Sequence, residues 1–154
     1  MNSQKGGNKY VPNLQKLQAV CARNYALLMR LLPLEYKVLD TWSLCLADKL
    51  TYRLTVESSS PYTETMRLVQ SNDSMPKFMA TEIEFRVYHD AQMVEVIGFQ
   101  KQTRLRQNYP YPNPKLHQKD EKMQVNTLLK DWLNLVVNTQ NEKQGQPSLL
   151  SSSI

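Results

Sequence analysis

Glycine is scarce in this 154-residue chain, which has only Gly6, Gly7, Gly98 and Gly145. They are too few and too scattered to build a dinucleotide fingerprint or a phosphate-cradling loop, which excludes a Rossmann dehydrogenase and a P-loop NTPase. Cysteine is scarcer still: Cys21 and Cys45 lack a Cys-x-x-Cys spacing and lie in apolar surroundings, so reduced, packed thiols and no disulfide are expected. There is no Gly-x-Ser-x-Gly elbow, no His-Glu-x-x-His helix and no paired Cys/His metal spacing, hence no hydrolase or zinc signature and no implied cofactor. No stretch approaches the roughly 18 consecutive apolar residues of a spanning helix. The longest runs are broken by Arg30, Thr55 or Glu95, so no integral membrane association is expected. The opening, Met1 to Tyr10, is hydrophilic and unlike a secretory signal, which makes a cytoplasmic location the expectation.

Acids are missing from the start of the chain. Lys5, Lys9, Lys16, Arg23 and Arg30 precede the first carboxylate, Glu35. The net charge is +5, so this segment alone equals it. A second basic cluster sets Lys101, Arg104, Arg106, Lys115, Lys119 and Lys122 against Asp120 and Glu121, with an acidic stretch from Ser71 to Gln100 between the two. Clustered charge of one sign makes a directional field and points to an anionic partner.

Hydrophobic periodicity supplies the fold. Leu14, Leu17, Cys21, Tyr25, Leu28, Leu31 and Leu32 recur at three- and four-residue spacing and predict a helix from Asn13 to Leu32, ended by Pro33. Lys16, Arg23 and Arg30, seven residues apart, line the opposite face, and Asn24 falls inside the apolar one, where its amide is expected to tie the helix to a neighbouring backbone group. From Thr41 to Phe99 the period changes to two: Leu50, Tyr52, Leu54 and Val56 alternate with polar residues, Met66 and Leu68 follow the Ser58 to Pro61 turn, and Ile83, Phe85 and Val87 lead through Asp90-Ala91-Gln92 into Met93 to Phe99 as a hairpin. Four or five antiparallel strands result, with a polar loop from Ser71 to Ala80. A last helix starts near Asn113-Pro114 and carries Val125, Leu128, Leu129, Trp132, Leu133 and Val136. Helices flanking an antiparallel sheet, without strand-helix alternation, give an α+β domain with both helices on one sheet face. That domain spans 13–137; a basic segment, 1–12, and a polar, serine-rich tail, 138–154, are expected to be disordered.

Candidate site residues fall in three places. His89 shares the strand parity of Ile83, Phe85 and Val87 and is expected at the rim of the inner face, with Asp90 in the turn; as a lone histidine without an orienting partner it reads as structural. Tyr109 and Tyr111, held extended by alternating prolines, stand beside Arg104 and Arg106 in a pattern compatible with base stacking and phosphate contacts on RNA or single-stranded DNA. His117, Gln118 and Glu121 make the inner face of the last helix's first turns polar: either a buried structural group or the lining of a small-ligand pocket with the tyrosines. His117 and Glu121 have metal-compatible spacing, but two ligands are too few for a metal site.

Cys21-Ala22-Arg23-Asn24-Tyr25, Arg30-Leu31-Leu32-Pro33, Val87-Tyr88-His89-Asp90-Ala91, Glu95-Val96, Tyr111-Pro112-Asn113, Leu116 through Lys122 and Asp131-Trp132-Leu133 resemble, in that order, the YqiB-like family of uncharacterised proteobacterial proteins. The resemblance covers about Asn13 to Val137 and implies a soluble bacterial cytoplasmic protein, with no catalytic or binding residue to carry over. Two uncompensated basic clusters without a recognisable reaction centre make a non-enzymatic binding or regulatory module, engaging an acidic protein partner through Lys16, Arg23 and Arg30, the leading reading. Nucleic-acid binding, or an enzyme built around His117 and Glu121, are the alternatives. Peripheral membrane contact is disfavoured because the first helix needs its apolar face to cover the sheet.

Overall fold

The computed structural model describes residues 13–46, 50–72, 74, 76, 80–101, 119–142 and 151–152. Helix α1 runs Leu14–Leu31, strands β1 to β5 run Thr41–Cys45, Leu50–Ser59, Thr63–Asn72, Thr81–Tyr88 and Met93–Lys101, helix α2 runs Lys119–Glu142, and the short strand β6 is Ser151–Ser152. Asn13 caps α1, its side chain accepting from the Lys16 N–H at 2.9 Å, and Leu32, before Pro33, leaves the helical region at φ −77°, ψ 142°. The expected start of the last helix, Asn113-Pro114, lies outside the described residues. Its far end is at Glu142, five residues beyond Val137, because Val136 and Val137 are packed in the core and a helix anchored there propagates past its apolar stripe despite the modest propensity of Asn and Thr.

The strands form one antiparallel sheet in the order β5-β4-β3-β2-β1-β6. Five come from the alternating region, as expected. The sixth is two tail residues, Ser152 and Ser151, set against Trp42 and Ser43. Inward positions bury completely or nearly so: Val56, Met66, Ile83, Phe85, Val87, Val94 and Val96 join Leu27 and Leu28 of α1 and Leu129 and Leu133 of α2 in one core. Each large apolar side chain so buried contributes about 1.5–3 kcal/mol. Both helices therefore cover the same face. The opposite face carries the half-buried polar partners of the alternation, with Arg67 bridging Glu57 and Glu82 across neighbouring strands.

Two bulges keep the inward set in phase. One falls at Glu57 in β2, where Val56 pairs with Met66 but Ser58 pairs with Thr65; the other falls at Ile97 in β5, where Val96 faces Phe85 and Gly98 faces Glu84. The first returns Ser59 to the inner face opposite Glu64. Cys21 is buried as expected, whereas Cys45 is exposed: it ends β1 on the outward parity, so its apolar sequence neighbours point the other way. Both thiols are free. No helix among the described residues is long and apolar enough to cross a membrane.

Candidate functional site

Antiparallel connectivity gathers the start of β1, the β2–β3 turn and the β4–β5 turn at one end of the sheet. There the inward alternation of β3 is broken by a carboxylate. Glu64 shares the parity of Met66 and Leu68 and is 8% exposed. A buried carboxylate has to be met by donors, and three reach it. Tyr36, from the segment after α1, donates to Oε1 at 2.6 Å. Ser59, turned inward by the bulge, donates to Oε2 at 3.1 Å. His89, in the β4–β5 turn, places Nε2 2.8 Å from Oε1.

The other ring nitrogen of His89, Nδ1, is 3.0 Å from the hydroxyl of Tyr25 on α1, with the two rings edge to face. His89 also donates its backbone N–H to the Tyr62 carbonyl at 2.9 Å, which pins the turn to its neighbour. Burial pushes the Tyr36 phenol well above the ordinary tyrosine range, and its hydrogen bond to Glu64 and that residue's negative charge push it further; it stays a donor. The arrangement is a line of titratable groups, phenol, imidazole, carboxylate, phenol, drawn from α1, β3, a turn and a loop. Chemically it can hold and pass a proton.

This corrects the reading of His89 as a histidine without an orienting partner. It stands at the rim, half-buried, as its parity requires, but Glu64 orients it from 25 residues away. Glu64, Tyr25, Tyr36 and Ser59 were not singled out as site residues by sequence reasoning. The available signal was an acid on the inward parity of β3, just as Asn24 stood out on α1. Asp90 lies in the turn, its carboxylate accepting from the Ala91 N–H.

A second polar cluster joins both helices to the β5 edge. Asn126 of α2 is fully buried. Its Oδ1 accepts from the Val96 N–H at 2.9 Å, its amide donates to the Lys122 carbonyl, and its backbone carbonyl accepts from the Asn24 amide at 3.1 Å. Asn24 is thus the tie to a backbone group that its position predicted. Beside it Cys21 Sγ approaches Asn126 Oδ1 at 3.8 Å, and burial raises the thiol to about 11, with Glu95 adding to the shift and Lys122 opposing it.

The remaining candidates separate. Lys16, Arg23 and Arg30 are all exposed on the side of α1 away from Cys21 and Leu28, bordering the buried Leu27, and none forms an ion pair among the described residues. Lys122, counted in the second basic cluster, is paired with Glu95. Glu121 is half-buried in the first turn of α2; Arg104, Arg106, Tyr109, Tyr111, His117 and Gln118 lie outside the described residues. Among the described residues, no three His, Cys, Asp or Glu side chains gather as a metal site would require. A groove of about 300 Å³ on the outer sheet face is lined by Arg67, Glu82, Glu84, Gly98 and neighbours, on the opposite side of the sheet from Glu64, which faces inward.

Residues 27–142 match the family described as Protein of unknown function (DUF1249). The chain belongs to this family. It is also 37% identical over 125 residues to the Uncharacterized protein YqiB of Escherichia coli (strain K12), covering 81% of this chain and 89% of that protein. The same figures hold for the proteins of that name in Escherichia coli O6:H1 (strain CFT073) and Escherichia coli O157:H7. No solved structure matches the chain. The matched span starts inside α1 and takes in the whole described sheet to Lys101, Glu64 and His89 included, and α2 through Glu142.

Proposed function

We propose that this DUF1249 domain is a cytoplasmic binding or regulatory module that engages an acidic protein surface through the cationic face of α1. The observation that carries the reading is that Lys16, Arg23 and Arg30 stand exposed in a row, without an ion pair among the described residues, on a helix whose adjoining face is fixed in the core. Seven helical residues rise about 10 Å, close to the Debye length at physiological salt of about 8 Å. Each cation therefore acts nearly independently in solution, and a partner gains from all three only by presenting acids at matching intervals along the helix. That favours a folded or helical acidic surface over a diffuse polyanion.

The nucleic-acid alternative rests on Arg104, Arg106, Tyr109 and Tyr111. It is weakened by the pairing of Lys122 with Glu95, which neutralises one cation of that cluster.

Tagged chain is used to capture partners from native bacterial lysate with and without nuclease, alongside an Arg23→Glu/Arg30→Glu variant. A protein that survives nuclease, weakens as salt is raised and is lost with the double reversal supports the module. A partner retained by the variant sinks it, and capture abolished by nuclease transfers the role to the Arg104 to Tyr111 segment.

A further inference from the structure

We propose that Tyr25 is an activated phenol, a nucleophilic acceptor for small activated acyl groups, with His89 as its base and Glu64 as the group that orients the base. This goes beyond the binding reading and uses none of its residues.

The direction of each hydrogen bond follows from the chemistry of the partners. Glu64 is a carboxylate surrounded by donors: Tyr36 and Ser59 supply hydroxyl hydrogens, and His89 Nε2 lies 2.8 Å from Oε1. A neutral imidazole with its hydrogen on Nε2, facing Glu64, has a bare lone pair on Nδ1. Tyr25 Oη, 3.0 Å from that lone pair, is then the donor. Base and nucleophile stand at hydrogen-bond distance, and a third group fixes the base, which is the arrangement that activates a weak nucleophile. Tyr36 is locked as a donor on the far side of Glu64, so the relay has one open end.

That end faces outward. The His89 side chain is 29% exposed while that of Glu64 is 10% exposed, and Tyr25 is half-buried, so a small reagent meets the phenol before the carboxylate. With a donor R–CO–X, the Tyr25 oxygen bonds to the carbonyl carbon and its proton passes to His89 Nδ1. The imidazolium is held by Glu64, the C–X bond breaks with its electron pair leaving on X, and X takes the proton from Nδ1. The products are the Tyr25 ester and HX, with nothing oxidised or reduced. The ester has no hydroxyl hydrogen for His89, so acylation also severs the bond between α1 and the β4–β5 turn.

The groups facing His89 are Tyr25 from α1, Glu64 from β3, Tyr36 and Ser59 through Glu64, the Tyr62 carbonyl from the β2–β3 turn, and the adjacent Asp90, whose carboxylate bonds the Ala91 N–H. Protonating Nδ1 removes the lone pair that accepts from Tyr25 and stops the relay.

The test treats the full chain with N-acetylimidazole and follows O-acetylation site by site by mass spectrometry. Tyr62, 66% exposed, is the internal reference. Tyr25 is expected to acetylate about tenfold faster than Tyr62 although it is more covered, a conservative share of what a positioned base supplies. His89→Gln should bring Tyr25 to or below the Tyr62 rate without moving Tyr62. The Tyr25 to Tyr62 ratio should also fall in Glu64→Gln, which still accepts from Tyr36 but no longer fixes the hydrogen on His89 Nε2, and this decides the matter even if His89→Gln does not fold. A Tyr25 no faster than Tyr62, or an advantage that survives either substitution, overturns the proposal.

Discussion

At the β5 edge, Asn24 and Asn126 tie the two helices to each other and to the strand backbone with neutral amides, the Asn24 Oδ1 being left without a partner among the described residues; at the end of the sheet, Glu64 and His89 do a similar job between α1, β3 and a turn with groups that ionise. Both clusters fasten α1 to the rest of the molecule. The amides sit wholly inside, at 0% exposure, where an ion would face a desolvation cost of several kcal/mol. The ionisable set lies where its outer members still reach water. The difference separates two duties of a buried polar group: the first fixes geometry and is indifferent to pH, while the second fixes geometry only as long as its protons stay in place. Asn126 also meets the outward-pointing N–H of the edge strand, covering an edge that would otherwise be open for pairing.

The comparison ranks the stability effects. Asn126→Ala should cost the most, about 3 kcal/mol, because it leaves the Val96 N–H buried without an acceptor and opens a cavity between the helices. Urea unfolding measures it. Glu64→Leu should cost about 2 kcal/mol by stranding the half-buried hydroxyl of Tyr36, whereas the exposed Ser59 and the rim His89 can turn to solvent; Glu64→Gln, which keeps an acceptor, about 1 kcal/mol. If Glu64→Leu proved costlier than Asn126→Ala, the end cluster would be the main fastening of α1 and the assignment of duties would be reversed. Arg67→Ala on the outer face sets the scale for a half-exposed ion pair and should cost under about 1 kcal/mol.

How much of this was legible in the chain depends on sequence separation. The helix bounded by Asn13 and Pro33, the alternation at Leu50 to Val56 and Ile83 to Val87, and the Asp90 to Gln92 turn are set by neighbours within a few residues, and the periodicity carries them. The family resemblance was likewise carried by local strings such as Val87 to Ala91. Asn24 announced itself as a buried amide, but its partner is 102 residues away. His89 read as solitary because Glu64 reaches it only across the β3–β4 pairing and Tyr25 only through the packing of α1 over the sheet. The bulge at Glu57, which swings Ser59 inward, leaves no local mark at all: it is a register adjustment between strands, and a strand read alone keeps its parity. The exposure of Cys45 has the same origin, since its parity is set by pairing with Thr51 and not by apolar neighbours along the chain.

Cys21 offers the finest test, because its thiol borders the neutral cluster. Burial holds it up at about 11 against an ordinary 9.0. Below pH 9 the thiol is protonated in folded and unfolded chains alike and contributes no slope. Between about 9 and 11 the unfolded chain gives up a proton that the folded chain keeps, so the folded state binds more protons and stability falls as pH rises. Tyr36 and Tyr52, both raised by burial, add slopes of the same sign that begin only near the ordinary tyrosine value of 10.0. Urea midpoints followed from pH 8 to 11 should therefore begin to fall near 9 in the unsubstituted chain, and the onset should move up towards 10 in Cys21→Ala. The same onset in both chains would mean that the thiol meets water in the folded state. The packing of α1 against α2 at Asn126 would then be looser than the 3.1 Å bond between Asn24 and the Asn126 carbonyl requires.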